Sequence, residues 1–161
     1  MNLTSPSQVK AWCIENEFHP NKVLGQNFLI DRNQLEAIVD AGLVGESVLE
    51  VGPGLGVMTE EMLRRGARVC AIEKDPVLAA RLKESLGNPE NLTVVAADAL
   101  KYEVGEGFTS MVSNLPYQAG TRILLEYVKK RAFPVKAYST VYTRAENSWK
   151  LWKSNSALRK P

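Results

Sequence analysis

Short apolar runs alternate along this chain with longer segments whose apolar residues recur at helical spacing. The runs are Val48 to Val51, Arg68–Glu73 (RVCAIE), Leu92–Ala97 (LTVVAA), Phe108–Ser113 (FTSMVS) and Ala137–Tyr142. Their length and bounds suit strands buried on both faces. Between and before them the spacing predicts five helices. The first covers 3–17, with Thr4 or Ser5 as N-cap and Pro6 in its first turn. The second follows Asp31 as cap, carries Leu35, Ile38, Val39 and Leu43, and ends at Gly42 or Gly45. The others cover 57–66, closed by Gly66, Asp75-Pro76 to about Gly87, and 118–131. Strands and helices in alternation predict an α/β fold, a doubly wound and mostly parallel sheet with helices on both faces. In such sheets ligands bind beyond the carboxyl ends of the strands.

What stands at those ends changes the picture from fold to chemistry. They are Glu50 with Gly52, Glu73, Asp98 and Asn114. The stretch SVLEVGPGLGVMT (Ser47–Thr59) reads as a strand, a turn with Gly52, Gly54 and Gly56, and a helix start. This brings bare backbone and a helix N-terminus up to a ligand, or else serves only as a tight strand-to-helix connection. The third glycine falls at Gly56 and position 57 is Val57, so it is not the dinucleotide fingerprint. A close G-x-G-x-G preceded by an acid is the turn that S-adenosylmethionine-dependent methyltransferases use.

Each remaining end admits a bland role beside a functional one. Glu73 can accept from both hydroxyls of an unphosphorylated ribose, which suits NAD equally, or be a solvated acid. Asp98 can accept from an adenine amino group or cap the turn beginning at Ala99. Asn114-Leu115-Pro116-Tyr117 is the sharpest signal. An amino group on a base reacts through its nitrogen lone pair, so acceptors must draw on its hydrogens alone. The Asn114 side-chain oxygen and the Leu115 carbonyl can do so, Pro116 stiffens the chain between, and Tyr117 offers a ring for stacking an extruded base. The alternative is a loop with a partly buried tyrosine.

Composition narrows the class further. At 161 residues, with ordinary apolar and charged fractions, one domain with a real core is expected. No run approaches a membrane span and no secretory pattern opens the chain. Cys13 and Cys70 lie far apart without metal-type spacing, which points to buried thiols in a reducing cytoplasm. His19 is the sole histidine, so His-rich metal sites are excluded and a surface or capping role is expected for it. The net charge of +2 hides an asymmetry: Lys129, Lys130, Arg131, Lys136, Arg144, Lys150, Lys153, Arg159 and Lys160 face the single acid Glu146. A basic segment beside an acidic body suits a polyanion such as RNA, or is a solvated helix face and a disordered end.

With these residues assembled, the chain resembles the ribosomal RNA adenine N6-dimethyltransferases, most closely the small-subunit type. The match rests on GQNFLID (Gly25–Asp31), VLEVGPGLGVMT (Val48–Thr59) and NLPY (Asn114–Tyr117), with IEKD (Ile72–Asp75) and AADAL (Ala96–Leu100) between. It implies a Rossmann-like S-adenosylmethionine-dependent methyltransferase domain over residues 1–141. The implied cofactor site comprises Asn27, Leu29, Gly52, Gly54, Glu73, Asp98 and Asn114, with GQNFL closing over the cofactor. Implied too is transfer of two methyl groups to the N6 of each of two adjacent adenines near the 3′ end of small-subunit rRNA, within a ribosomal particle in the cytoplasm. The catalytic set is Asn114, Leu115, Pro116 and Tyr117, with no metal and no covalent intermediate. Relatives that modify large-subunit rRNA share these motifs but typically have isoleucine where Leu115 stands, and a DNA adenine methyltransferase would share only the N-x-P-Y.

The resemblance fades after Val141. The stretch YTRAENSWKLWKSNSALRKP does not look like the further strands and the RNA-gripping helical domain that the family places there. Residues 142–161 are therefore expected to be a basic tail on a truncated or frameshifted copy, leaving the fifth strand as an exposed sheet edge. The rival expectation is a non-catalytic remnant that binds cofactor or RNA.

Overall fold

In the computed structural model the described residues are 5–19, 32–42, 46–115, 117–129, 137–143 and 148–153. Eleven elements follow in the order α1 (Pro6–Glu15), α2 (Arg32–Gly42), β1 (Ser47–Val51), α3 (Val57–Arg64), β2 (Arg68–Glu73), α4 (Pro76–Ser85), β3 (Leu92–Ala96), β4 (Ser110–Ser113), α5 (Tyr117–Lys129), β5 (Ala137–Thr143) and β6 (Ser148–Lys153). Five strands run parallel and β6 antiparallel in one sheet of order β3-β2-β1-β4-β5-β6. The chain moves outward from β1 through β2 to β3, then returns to the other side of β1 with β4. The sheet therefore has its topological switch point between β1 and β4, where a crevice opens in folds of this kind.

Alternation along each strand divides the core between the two faces. Val48, Val69, Ala71 and Val112 face one way, packing with Trp12 of α1, Ile38 and Val39 of α2, Met62 of α3 and Leu78 and Leu82 of α4. Leu49, Val51, Ile72 and Met111 face the other way, packing with Ile123, Leu124 and Tyr127 of α5. Helices thus cover both faces, as the pattern of apolar runs requires. On the first face α2 and α3 are tied by charge. Glu61, nearly buried, accepts from Arg64 and from Arg65 Nε at 2.7 Å, and Arg65 also pairs with Asp40 of α2. Its hydrogen bonds to Arg64 foremost hold the Glu61 carboxyl down to about 2, against the opposing effect of burial.

The elements depart from the sequence reading in instructive places. Thr109, expected inside the fourth strand, lies just before β4; its hydroxyl donates to the Ser47 carbonyl at 2.8 Å. Cys13 and Cys70 are free and only partly buried, and His19 is exposed as expected. The larger correction is at the far side of the sheet. β6 pairs with β5 from Tyr138↔Lys153 to Thr143↔Ser148, so the edge expected to be open is occupied. Trp149 and Trp152 belong to that strand, opposite Tyr142 and Ser139. The segment SWKLWK carries no motif, but its two tryptophans give it strand propensity once a partner edge is available.

The turn after β1 is shaped by its glycines. Gly56 takes φ +89° as N-cap of α3, and a Cβ there would come 2.6 Å from Leu82 Cδ1. Gly52 takes φ +69° with open space where a Cβ would stand. Gly56→Ala combines backbone strain with overpacking and is expected to cost about 1–3 kcal/mol. Gly52→Ala meets strain alone and is expected to cost about 1 kcal/mol. Urea unfolding of both variants checks the order; equal losses would remove the packing role of Gly56.

Candidate active site at the strand tips

Parallel register puts the ends of β3, β2, β1 and β4 side by side on one edge of the sheet. Adjacent strands lie roughly 4.8 Å apart, so four tips in a row span about 14 Å, the length of a nucleoside joined to an amino acid. The four ends singled out from sequence therefore do come together: Gly52 and Gly54 after β1, Glu73 at the end of β2, Asp98 after β3, and Asn114 with Leu115 after β4.

The tips are bonded to one another. Glu73 is buried, and its Oε2 accepts from Gly54 N–H at 3.1 Å while its Oε1 accepts from Asp75 N–H at 2.9 Å. Gly52 N–H donates to the Ile72 carbonyl at 2.9 Å, continuing the β1–β2 ladder into the turn. Burial pushes the Glu73 carboxyl up, while the N–H groups of Asp75 and Gly54 pull the other way. Asp75 caps α4, its Oδ1 accepting from Val77 N–H at 2.9 Å and Leu78 N–H at 3.3 Å. Ala97 N–H donates to the Glu73 carbonyl at 3.0 Å, bringing the end of β3 level with that of β2.

Asp98 follows. Its Oδ2 pairs with Lys74 Nζ at 3.0 Å and its Oδ1 accepts from Leu100 N–H at 3.0 Å. The Lys74 ammonium foremost, then that N–H, holds its carboxyl below the usual range. The turn-capping role that sequence left open for Asp98 is present, and the same carboxylate stays ionised with lone pairs to offer. On the other side of β1, Ser113 Oγ accepts from Val51 N–H at 2.9 Å and so fastens the tip of β4 to that of β1. Leu115 is buried, and Gly120 lets the first turns of α5 lie against it; a Cβ there would stand 3.1 Å from Leu115 Cβ. Tyr117 opens α5. Asn27, Leu29 and Pro116 lie outside the described residues.

Glu50, the acid before the glycine turn, belongs beneath the site. It is 1% exposed, and Thr59 Oγ1 of α3 donates to its Oε2 at 2.6 Å. Burial pushes its carboxyl up to about 8, with the Thr59 hydrogen bond opposing and the charge of Glu73 adding to the rise. Sequence reasoning missed Thr59, Lys74, Ser113 and Tyr127, whose hydroxyl donates to the Ala99 carbonyl at 3.0 Å. The available signal was polar groups inside otherwise apolar segments, which spacing alone cannot pair. Among the described residues no group of three or more His, Cys, Asp and Glu is placed to hold a metal ion, and no helix is long and apolar enough to cross a membrane.

The arrangement fits an adenosyl amino-acid cofactor. Open space over Gly52 admits a ligand to the backbone, and carboxyl oxygens stand at two successive tips where ribose hydroxyls and a base amino group would each need an acceptor. Comparison with known proteins agrees. Residues 17–160 match the family model described as Ribosomal RNA adenine dimethylase, a match that runs through the stretch after 141 where motifs alone show no resemblance. The chain is 44% identical over 131 residues to ribosomal RNA small subunit methyltransferase A of Deinococcus radiodurans, covering 79% of this chain and 44% of that protein. It is 38% identical over 156 residues to the protein of the same name from Mycobacterium tuberculosis, covering 91% of this chain and 49% of that one. It spans about half the length of the curated relatives it matches. Among solved structures it resembles the 23S rRNA methyltransferase ErmE, with TM-score 0.62 and 36% identity over 71% of this chain and 47% of that one. At 20% identity the glycopeptide N-methyltransferase MtfA, with TM-score 0.60 over 70% of this chain and 50% of that one, shares the fold.

The buried Glu50 carries a pH signature. A carboxyl whose folded pKa lies above its unfolded one binds its proton more tightly in the native state. Its contribution is full below the ordinary carboxylate range and is lost as pH rises through about 8. Glu50→Gln stays neutral throughout. Its stability relative to wild type should therefore improve between pH 5 and pH 8, by on the order of a few kcal/mol. Urea unfolding across that range tests this; a constant difference would mean that Glu50 ionises normally.

Proposed function

Since the chain belongs to the ribosomal RNA adenine dimethylase family, we propose that residues 1–141 form an S-adenosylmethionine-dependent catalytic domain that dimethylates the N6 of two adjacent adenines near the 3′ end of small-subunit rRNA. The proposed setting is a ribosomal particle in the cytoplasm. The observation that carries this reading is the order of groups along the strand tips. Asp98, Glu73, the glycine turn and Asn114 stand in one row, in the sequence that base, ribose, amino acid and target amine would need.

When bound, the cofactor supplies an electrophilic methyl group on a sulfonium. The chain's own residues then have distinct tasks. Asp98 accepts from the adenine amino group and Glu73 from the ribose hydroxyls, while Gly52 and Gly54 admit the amino-acid end; Asn27 and Leu29 close over it. At the neighbouring tip the Asn114 side-chain oxygen and the Leu115 carbonyl draw on the hydrogens of the target amine and leave its lone pair free to attack in line. Pro116 keeps these two acceptors aligned, and Tyr117 supplies the ring on which an extruded base stacks. Catalysis would rest on positioning and on withdrawing the cationic cofactor from water; as the N–C bond forms the S–C bond breaks, S-adenosylhomocysteine leaves, and the proton released by the methylated amine passes to water.

The likeness to ErmE favours one other target, an adenine of large-subunit rRNA. The relatives named for the small subunit, at up to 44% identity, support the first reading. The test is methyl incorporation from labelled cofactor into small and large subunits lacking the modification, beside calorimetric binding of S-adenosylhomocysteine. Incorporation should be confined to the small subunit. Asn114→Ala and Tyr117→Ala should each lower it by about 10²-fold or more, with cofactor binding still measurable for the tyrosine variant. Near-normal rates in both would refute the assignment. Binding without incorporation by the wild type would mark a non-catalytic, cofactor-binding role.

A further inference from the structure

The loop that carries Asp98 follows β3 and packs Ala99, Leu100 and Tyr102 against the core face that α5 covers. Among the described residues β3 is the end strand of the sheet, with β2 as its one strand neighbour. Within the loop, Lys101 and Tyr102 N–H groups donate to the Asp98 carbonyl at 2.8 and 3.0 Å, which turns the chain. Lys74, just after β2, holds the Asp98 side chain but is itself largely exposed. A hydrogen bond from α5 reaches this loop from below. Tyr127, 4% exposed on the inner face of α5, donates its hydroxyl to the Ala99 carbonyl at 3.0 Å, across 28 residues of sequence.

Both ends of that bond are buried, among Ile72, Leu115, Ile123 and Leu124. An apolar residue at 127 would fill the same space, so packing alone does not call for a hydroxyl. Without it the Ala99 carbonyl loses this donor in a place where water is largely excluded. Burial pushes the Tyr127 phenol up to about 12, with Cys70, Tyr102 and then Asp98 adding to the rise, so it remains a donor through the neutral range. The same helix begins at Tyr117, immediately beyond the Asn114-Leu115 tip, and its third turn carries Tyr127. One rigid element therefore touches the loop proposed to read the cofactor's base and starts at the tip proposed to hold the target amine.

We propose that Tyr127 is a positioning residue for cofactor recognition: through the Ala99 carbonyl it sets the height of the Asp98 loop on α5, and so couples the adenine end of the cofactor site to the target-base end. This inference rests on the functional reading above, in which Asp98 accepts from the cofactor's adenine amino group. It concerns a residue that touches neither reactant.

The test compares wild type with Tyr127→Phe in the full chain, using calorimetry with S-adenosylhomocysteine and with S-inosylhomocysteine, which has a carbonyl in place of the amino group. The variant should bind the adenosyl ligand about tenfold more weakly, with the inosyl ligand nearly unchanged, so that selectivity between them falls. In an Asp98→Asn background the same substitution should have little further effect on selectivity. Equal weakening of both ligands would reduce Tyr127 to a structural role, and unchanged binding of both would overturn the proposal. A wild type that binds neither ligand would instead sink the functional reading on which it stands. Amide exchange on the wild type serves as a measurement independent of the variant's folding: the Leu100, Lys101 and Tyr102 amides should be protected together with those of α5. Exchange at the rate of an open loop would overturn the proposal as well.

Discussion

The Glu73 carboxylate is where the geometry of the site is decided. One of its oxygens takes the Gly54 N–H and the other the Asp75 N–H, so a single buried side chain joins the glycine turn after β1 to the start of α4 after β2. Hydrogen bonds to a buried acceptor are costly to leave unmade, which fixes both loops relative to each other far more tightly than either turn would fix itself. The turn cannot rise or fall without stripping the carboxylate of a donor. Ala97 N–H, bonded to the carbonyl of the same residue, brings the β3 end into that arrangement. Ser113 does the corresponding work for β4.

Around this clamp the carboxyl groups are held in three different electrostatic settings within one row of strand tips. Glu50, sealed beneath the turn against Thr59, keeps its proton at neutral pH. Glu73 is raised by burial yet supported by N–H groups. Asp98 is kept ionised by Lys74. Burial, hydrogen bonding and charge pairing thus grade the acids along the sheet edge, from the neutral floor at Glu50 to the ionised carboxylate at Asp98.

Much of the fold was legible because its strands and helices obey simple periods. Apolar runs such as RVCAIE can be buried on two faces only in a parallel sheet, and Gly56, Asp75-Pro76 and Gly66 mark their helix ends by backbone chemistry that operates locally. The residues at the strand tips were legible for the same reason: a carboxylate or amide at the end of an apolar run stands out against it. β6 was not legible, since SWKLWK has neither a motif nor a clean alternation, and its strand form depends on β5 offering an unpaired edge. Thr109 was misplaced because its hydroxyl bonds to the Ser47 carbonyl, a partner 62 residues away.

Local patterning by itself determined the α/β class, the position of the glycine turn and which polar residues stand at the ends of β2, β3 and β4, because each depends on residues within a few positions of one another. The tertiary structure alone decided that those ends form one row, that Glu50 lies under the site instead of in it, and that Thr59, Ser113, Lys74 and Tyr127 brace it. Those facts depend on strand order and on contacts spanning 9 to 62 residues. A hydrogen bond of that range leaves no period in the chain, since its partner is chosen by the packing of the sheet and not by spacing along it.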